Sequence, residues 1–209
     1  MSILNLRMVS RGRRATVRAL ALLCFCIVPQ ASIITPGPGA FPPDIFTMAG
    51  ATFVGGLTTG PITSTNGALT VTVNTAVYSD PTNAFCVGCY DFVYQISNSA
   101  SSPDSVGRVT GVDFTSFQTD VGFLPTGASL AHGFVNGSVS PELVDRVTAA
   151  SVGFSFNAPL TLLIPPGATS VVLVVQTDAR NLKAGNFNII DGGVTTVGAF
   201  APAPLPTPL

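Results

Sequence analysis

The stretch that most constrains the fold is residues 85–98, which begins with two closely spaced cysteines and reads F-C-V-G-C-Y-D-F-V-Y-Q-I-S-N. Its side chains alternate between one apolar face (Tyr90, Phe92, Tyr94 and Ile96) and one polar face (Asp91, Gln95 and Ser97). Alternation with a period of two is typical of a strand that is buried on one face and hydrated on the other. We therefore predict a half-buried β-strand here, with a covalent link at its start.

Similar short runs recur along the chain, and 21 Gly and 17 Pro separate them with turns. Strands are predicted at residues 51–57, 69–78, 108–117, 152–156, 160–164 and 171–175, with a closing hairpin of 187–190 and 194–200. Gly60-Pro61 is expected to end the first strand, and Gly111 to mark a bulge. Residues 171–175 are all apolar, which predicts a strand buried on both faces. The pattern indicates an all-β chain with a single β-sandwich or jelly-roll-like domain.

The first 31 residues have the layout of a signal peptide. Five of the nine basic residues precede position 19, an apolar run follows at 19–28, and Ala31 offers a small residue for cleavage. A lipoprotein signal is disfavoured because Leu23 and Phe25, rather than small residues, precede Cys24 and Cys26. An uncleaved anchor is the other alternative. We expect cleavage near Ala31 and a secreted protein without a transmembrane anchor in its mature form.

Beyond the signal, Pro and Gly predict an extended lead-in at residues 32–48, before a β-sandwich domain at 49–200. The end, residues 201–209, has Pro at every second position, which predicts an extended spacer that cannot pack as a strand. Segment 118–146 is the least regular, and it is where we expect loops that carry function.

Charge argues against nucleic acid as a partner. Charged residues make up only 9% of the chain, and after residue 31 four basic residues face ten acidic ones, a net charge of −6. Nucleic-acid binding needs clustered Lys and Arg, which this chain lacks.

The cysteine pair Cys86 and Cys89 is predicted to form a small structural disulfide, because export places it in an oxidising compartment. Zinc would need a second pair of ligands, and His132 is the only histidine. A redox site would open a helix, whereas this motif precedes a strand.

Few residues are suited to catalysis, so we predict that the chain is not an enzyme. A Ser-His-Asp arrangement would depend on His132, and no G-x-S-x-G motif is present. A glycosidase would need two carboxyl groups from a short set of candidates: Asp113, Asp120, Glu142 and Asp145. No cofactor is expected apart from a structural calcium ion, for which the turn residues Asp178, Asn181 and Asp191 are the candidates. A D-x-D-x-D-G loop is absent, and Asp and Asn in turns commonly bond their own backbone.

Two motifs, C-V-G-C-Y-D-F-V-Y-Q-I-S-N at 86–98 and V-D-F-T-S-F-Q-T-D-V-G-F at 112–123, resemble the globular part of bacterial PEP-CTERM exported proteins. The resemblance extends over residues 80–200. It implies a surface or extracellular-matrix protein of a Gram-negative bacterium, and no catalytic residue. Family members are sorted by an exosortase that recognises Pro-Glu-Pro, a helix and a basic cluster, and the end of this chain, A-P-A-P-L-P-T-P-L, departs from that signal.

Taken together, the sequence predicts a secreted, non-catalytic structural or adhesive protein whose partners are itself or other matrix components. Low charge and exposed strand edges would suit side-by-side assembly. The alternative is a carbohydrate-binding module. It is disfavoured by the absence of Trp and by aromatic residues that are mostly Phe at strand positions.

Overall fold

The computed structural model describes residues 32–156, 162–191 and 193–206, and this part of the chain contains twelve β-strands and no helix. In chain order the strands are β1 (Ala40–Phe41), β2 (Asp44–Ile45), β3 (Thr52–Thr63), β4 (Thr70–Asp80), β5 (Cys89–Asn98), β6 (Arg108–Val112), β7 (Thr119–Leu124), β8 (Leu143–Thr148), β9 (Ser151–Ser155), β10 (Val172–Thr177), β11 (Leu182–Ile190) and β12 (Val194–Pro202). The predicted all-β class is therefore confirmed.

The strands form two six-stranded sheets that pack face to face as a sandwich. Sheet A has the order β1-β8-β9-β6-β11-β12, and sheet B has the order β2-β7-β10-β5-β4-β3. All pairs are antiparallel except β2 with β7. The predicted closing hairpin is the β11–β12 pair, and the central stretch is β5, which lies between β10 and β4.

The main core lies between the sheets and is built from the alternate apolar residues of each strand. Phe92 and Tyr94 of β5 contribute from sheet B, and Phe187 and Ile189 of β11 contribute from sheet A; all four side chains are fully buried. The rings of Tyr94 and Phe187 are stacked, with centroids 4.5 Å apart and planes at 15°. The Tyr94 hydroxyl donates a hydrogen bond to the Phe200 carbonyl at 3.1 Å. This contact joins the centre of sheet B to sheet A.

A second apolar cluster covers the outer face of sheet B. Its members come from β4, β5, β7 and β10 and from the covering segments (Met48, Ala76, Tyr78, Val93, Leu124, Phe134, Val172 and Val174). Gln95 fastens one covering segment, because its Nε2 donates to the carbonyls of Val135 and Ser170 at 2.8 and 2.9 Å. The prediction that one face of β5 is hydrated is therefore wrong, because Asp91 and Gln95 are buried and only 0% and 2% exposed. The prediction that 171–175 is buried on both faces is confirmed.

Several strand boundaries differ from the prediction. β3 continues through Gly60 and Pro61 to Thr63, because an edge strand leaves one side unpaired and tolerates the missing N–H of proline. β6 ends at Val112, and Gly111 pairs in register on both sides, so it marks no bulge. The segment predicted to be irregular contains β7 and the start of β8.

At both ends of the described chain the structure also differs from the prediction. The lead-in contributes β1 to sheet A and β2 to sheet B. Ala201 and Pro202 were predicted to lie in an extended spacer, but they complete β12. Proline is tolerated there because the last residue of an edge strand does not need to donate a backbone hydrogen bond. Of the predicted strand 160–164, residues 160 and 161 lie outside the described residues, and Ile164 forms only an isolated bridge with Val106. The turn residue Gly192 and the signal segment 1–31 lie outside them as well.

One buried guanidinium ties the loops at one end of the sandwich together. Arg146 of β8 is only 3% exposed. Its Nη1 donates to the Phe117 carbonyl at 2.9 Å, and its Nη2 donates to the Phe114 and Ala149 carbonyls at 2.8 Å each. A further contact reaches Thr119 Oγ1 at 3.2 Å. Arg146 thus satisfies loop carbonyls that the strand ladders leave unpaired.

Candidate functional site

The predicted cysteine pair stands at the start of β5. The sulfur atoms of Cys86 and Cys89 lie at bonding distance, with Cα atoms 5.3 Å apart, as predicted. The Cys89 N–H donates to the Cys86 carbonyl at 3.0 Å, and Asn83 Oδ1 accepts from the Phe85 N–H at 2.8 Å. Local hydrogen bonds and the disulfide together fix this loop against the end of β4.

Beside this loop, polar side chains form a row across the outer face of sheet B. Asp120 of β7 pairs with Gln176 of β10, and Gln176 pairs with Asp91 of β5. All three are buried, with exposures of 2%, 2% and 0%. Sequence analysis missed this row, because alternation places these residues opposite the core face but cannot reveal that distant segments cover it.

Asp91 forms a carboxyl pair with Asp80. Asp91 accepts from Asn83 Nδ2 at 2.7 Å and from Gln176 Nε2 at 3.4 Å, while Asp80 Oδ1 accepts from the Thr82 N–H and hydroxyl. Burial, followed by the hydrogen bond and charge of Asp80, raises the pKa of Asp91 well above its usual range. Burial and a neighbouring carboxylate both disfavour the charged form of Asp91.

Asp91→Asn is expected to make the protein more stable than the wild type at pH 8 and to leave stability similar near pH 4. The unfolded chain releases the Asp91 proton above a pKa of about 3.9, whereas the folded chain keeps it. Stability is therefore lost as pH rises from that value toward the raised folded pKa, at about 1.4 kcal/mol for each unit of difference. Asparagine has nearly the same shape and is neutral at every pH. Urea unfolding at both pH values measures the change.

The matched control is Asp113→Asn, which makes the same substitution at a carboxylate whose side chain is 46% exposed. It should leave the pH dependence of stability unchanged. An Asp91→Asn protein that is less stable than the wild type at pH 8 would contradict the assignment of a proton to this pair.

A second carboxyl pair, Asp44 with Asp120, lies at the edge of the same row. Gly122 permits it, because β2 passes so close that a Cβ at Gly122 would overlap the Asp44 backbone. The Ser32 N–H donates to Asp120 Oδ2 at 3.1 Å. Burial, together with the charge and hydrogen bond of Asp44, raises the pKa of Asp120 to about 7. The pair lines a cavity of about 290 Å³.

The carboxyl groups that the sequence offered for glycoside hydrolysis do not form one site. Asp120 lies in sheet B, whereas Asp145 lies in sheet A and is paired with Arg108 through contacts of 2.6 and 2.8 Å. Asp113 lies 3.8 Å from Lys183 on the surface. Glu142 immediately precedes β8 in sheet A. The carboxyl groups that do meet are Asp120 with Asp44 and Asp91 with Asp80.

The calcium candidates also lie apart. Asp178 and Asn181 precede β11, and Asp191 follows it, so nine strand residues, roughly 30 Å, separate them. Asp178 Oδ1 accepts from the Gln118 N–H at 3.0 Å, and Asn181 Oδ1 accepts from the Leu182 N–H at 2.9 Å. Within the described ranges no three His, Cys, Asp or Glu side chains are placed to hold a metal ion.

His132, the only histidine of the chain, lies against the outer face of β3. Its ring stacks on Phe53, with centroids 5.8 Å apart, and a Cβ at Gly56 would lie 2.6 Å from it. Its Nε2 is 3.4 Å from Thr58 Oγ1. The imidazole therefore fills the surface that Gly56 leaves open.

The candidate functional surface consists of two long edge strands, β3 and β12, which have a hydrogen-bonded neighbour on one side only among the described strands. Neither contains Lys, Arg, Asp or Glu. β3 exposes Phe53, Val54 and Leu57 at 40–42%, and β12 exposes Val194 at 57%. Edge strands are usually protected by charges, Pro or bulges. β3 has two bulges and Pro61, whereas β12 has Pro only at its last residue, Pro202, and pairs with β11 over nine consecutive residues without a shift.

No stretch of the described chain forms a helix long and apolar enough to cross a membrane. Comparison of the chain with protein-family models, with curated proteins and with solved structures finds no match in any of the three.

Proposed function

We propose that this chain is a secreted, non-catalytic structural or adhesive protein of a bacterial surface or extracellular matrix, and that it assembles with copies of itself through its edge strands. The observation that supports this most directly is the uncharged, uninterrupted edge of β12. An unpaired edge offers a row of N–H and C=O groups that another strand can extend.

A second copy of the chain is the occupant that fits this edge. Two β12 strands can pair antiparallel about a two-fold axis, because an uncharged strand meets no like charges when it faces itself. β3 provides a second edge on the same molecule, with an unshifted run opposite β4 at residues 55–59. The two edges lie on the same side of the sandwich, because a Cβ at Gly198 of β12 would lie 3.6 Å from the Leu57 side chain of β3, so an approaching copy can meet both.

Export and surface location rest on the sequence pattern. The signal-like segment at 1–31 and the resemblance to PEP-CTERM exported proteins support a Gram-negative origin and an extracellular site. We also propose that the sandwich is jelly-roll-like, because the chain passes repeatedly from one sheet to the other between β5 and β11. The Pro-rich residues that follow β12 would act as a spacer.

We expect the molar mass of the mature chain to increase with protein concentration, as measured by size-exclusion chromatography with light scattering. Val194→Lys in β12 or Leu57→Lys in β3 should raise the concentration needed for assembly by about tenfold or more, because a charged Lys on an edge strand opposes its pairing with another strand. Val147→Lys is the matched control, since Val147 is equally exposed, at 58%, but lies in β8, between β1 and β9.

A wild-type protein that stays monomeric at every concentration, or a Val147→Lys protein that dissociates as readily as the edge variants, would overturn the assembly proposal.

Glycan binding is the second candidate function. The stacked rings of the exposed Phe53 and the half-buried His132 are the surface on which a sugar ring would lie, and a strict monomer would make a glycan array the next test.

A further inference from the structure

The backbone nitrogen of Ser32 points at a buried carboxylate. Its N–H donates to Asp120 Oδ2 at 3.1 Å, although the two residues are 88 positions apart in the chain. Ser32 is also the residue that would become first if the signal segment were cleaved after Ala31. A backbone amide and a new amino terminus would occupy the same place, but they differ in charge and in the number of hydrogens they donate.

The carboxyl pair facing this nitrogen has more acceptors than the amide can satisfy. Asp120 is 2% exposed, and its Oδ1 has no hydrogen-bond donor. The group that faces it is the carboxyl of Asp44, which donates only when it is protonated. Ser32, Asp44 and Asp120 line one cavity together with Gln176, which is neutral. The next acid in the row, Asp91, is fully buried, and its pKa is raised by that burial and by Asp80.

We propose that Asp44 and Asp120 form a binding site for the α-ammonium group of Ser32, created when a signal peptidase hydrolyses the Ala31–Ser32 bond. This inference rests on the proposed secretion of the protein. Hydrolysis consumes one water molecule, leaves a carboxylate on Ala31 and releases the amine of Ser32, which takes up a proton. The ammonium has three N–H donors and one positive charge, enough for both oxygens of Asp120 and one of Asp44.

The residues after Ser32 fix its nitrogen at the cavity. The Ile34 N–H donates to the Thr119 carbonyl at 2.9 Å, and the Ile34 side chain is buried in the main core at 5% exposure. The Gly37 N–H donates to the Arg146 carbonyl at 3.0 Å. An amino terminus one residue earlier or later would lie about 3.4 Å away along an extended chain. The site is therefore specific for cleavage at one bond.

The test compares three purified chains: residues 32–209 with a free Ser32 amine, the same chain with an Nα-acetyl group, and residues 31–209. Each contains both sheets and every residue of both apolar clusters. At pH 7 the unfolding equilibrium constant of the free-Ser32 chain should be about tenfold or more lower than those of the other two, as measured in urea. One unit of pKa difference corresponds to this factor.

The pH dependence distinguishes an ammonium from a merely structural contact. The unfolded α-amine has a pKa of about 8, and its pairing with Asp44 and Asp120 raises the folded value. The extra stability should therefore be present just below pH 8 and be lost as pH rises through the raised folded pKa of the amine. It should also be lost at acid pH, where the Asp44–Asp120 pair is protonated. Asp120→Asn should abolish the difference between the chains, while Asp113→Asn, at an exposed carboxylate that follows β6, should preserve it.

Equal stability of the free, acetylated and extended chains, or a difference that survives Asp120→Asn, would overturn the ammonium site. Amino-terminal sequencing of the exported protein should read Ser-Ile-Ile-Thr, and any other first residue would overturn the cleavage assignment. An unprocessed chain retained in the cytoplasm would instead contradict the proposed secretion. The comparison of purified chains decides the ammonium site independently of that result.

Discussion

Replacement of Arg146 by alanine is expected to lower the free energy of unfolding by about 3–5 kcal/mol. The guanidinium is buried and donates to three loop carbonyls and to Thr119 Oγ1. Alanine would leave these acceptors without donors and away from water, which costs more than the bonds themselves contribute. Urea unfolding followed by circular dichroism measures the loss.

Two variants bracket this prediction. Arg146→Lys keeps the charge but presents a single nitrogen, so it should recover only part of the stability. Arg180→Ala is the matched control, because Arg180 is exposed and makes one hydrogen bond, of 3.3 Å, to the Val87 carbonyl. Its effect should stay within about 0.5 kcal/mol. Similar losses in the Ala variants of Arg146 and Arg180 would show that the loop carbonyls do not depend on the buried guanidinium.

Replacement of Phe187 by alanine should also cost about 3–5 kcal/mol, because it opens a cavity at the centre of the sandwich. The side chain is fully buried and stacks on Tyr94 of the opposite sheet at 4.5 Å. Loss of the ring removes apolar burial, the aromatic contact and the support of the Tyr94 hydroxyl, which bonds to Phe200. Thermal and urea unfolding at neutral pH measure the effect.

Phe187→Leu refills most of that volume, and its cost should be clearly smaller. Phe53→Ala removes the same ring from a position that is 42% exposed, and it provides the matched control for a core effect. If Phe187→Ala were no more destabilising than Phe53→Ala, the contact between β5 and β11 would not be a main attachment between the sheets.

The fold class follows from local pattern, because a strand that borders the core must alternate. β4, β5, β9 and β12 were all recognisable in this way, and so was the doubly buried β10. β7 was not, since its sequence, T-D-V-G-F-L, contains an Asp and a Gly, which are depleted in strands. Both residues contact segments that are distant in sequence. Asp120 faces Ser32 and Asp44, and the missing side chain of Gly122 leaves room for the backbone of β2.

The two carboxyl pairs could not be predicted from the sequence for the same reason. An acid on a strand is predicted to face water, and only tertiary structure shows that the outer face of sheet B is covered by residues of segments 46–51 and 130–135. The disulfide was predictable because its loop is local. The strand order, and therefore the identity of the free edges, depends on pairings between remote segments that no local pattern reports.

The lead-in has a consequence for the order in which the molecule can fold. Ala40–Phe41 completes sheet A against β8, and Asp44–Ile45 completes sheet B against β7, so the first described strands close both sheets. During synthesis from the amino terminus these residues emerge first, whereas their pairing partners emerge only after more than half of the chain. Vectorial folding, strand by strand, is therefore impossible at this end. The leading segment must stay unpaired until β7 and β8 are available, so both sheets are completed only after the middle of the chain has been made.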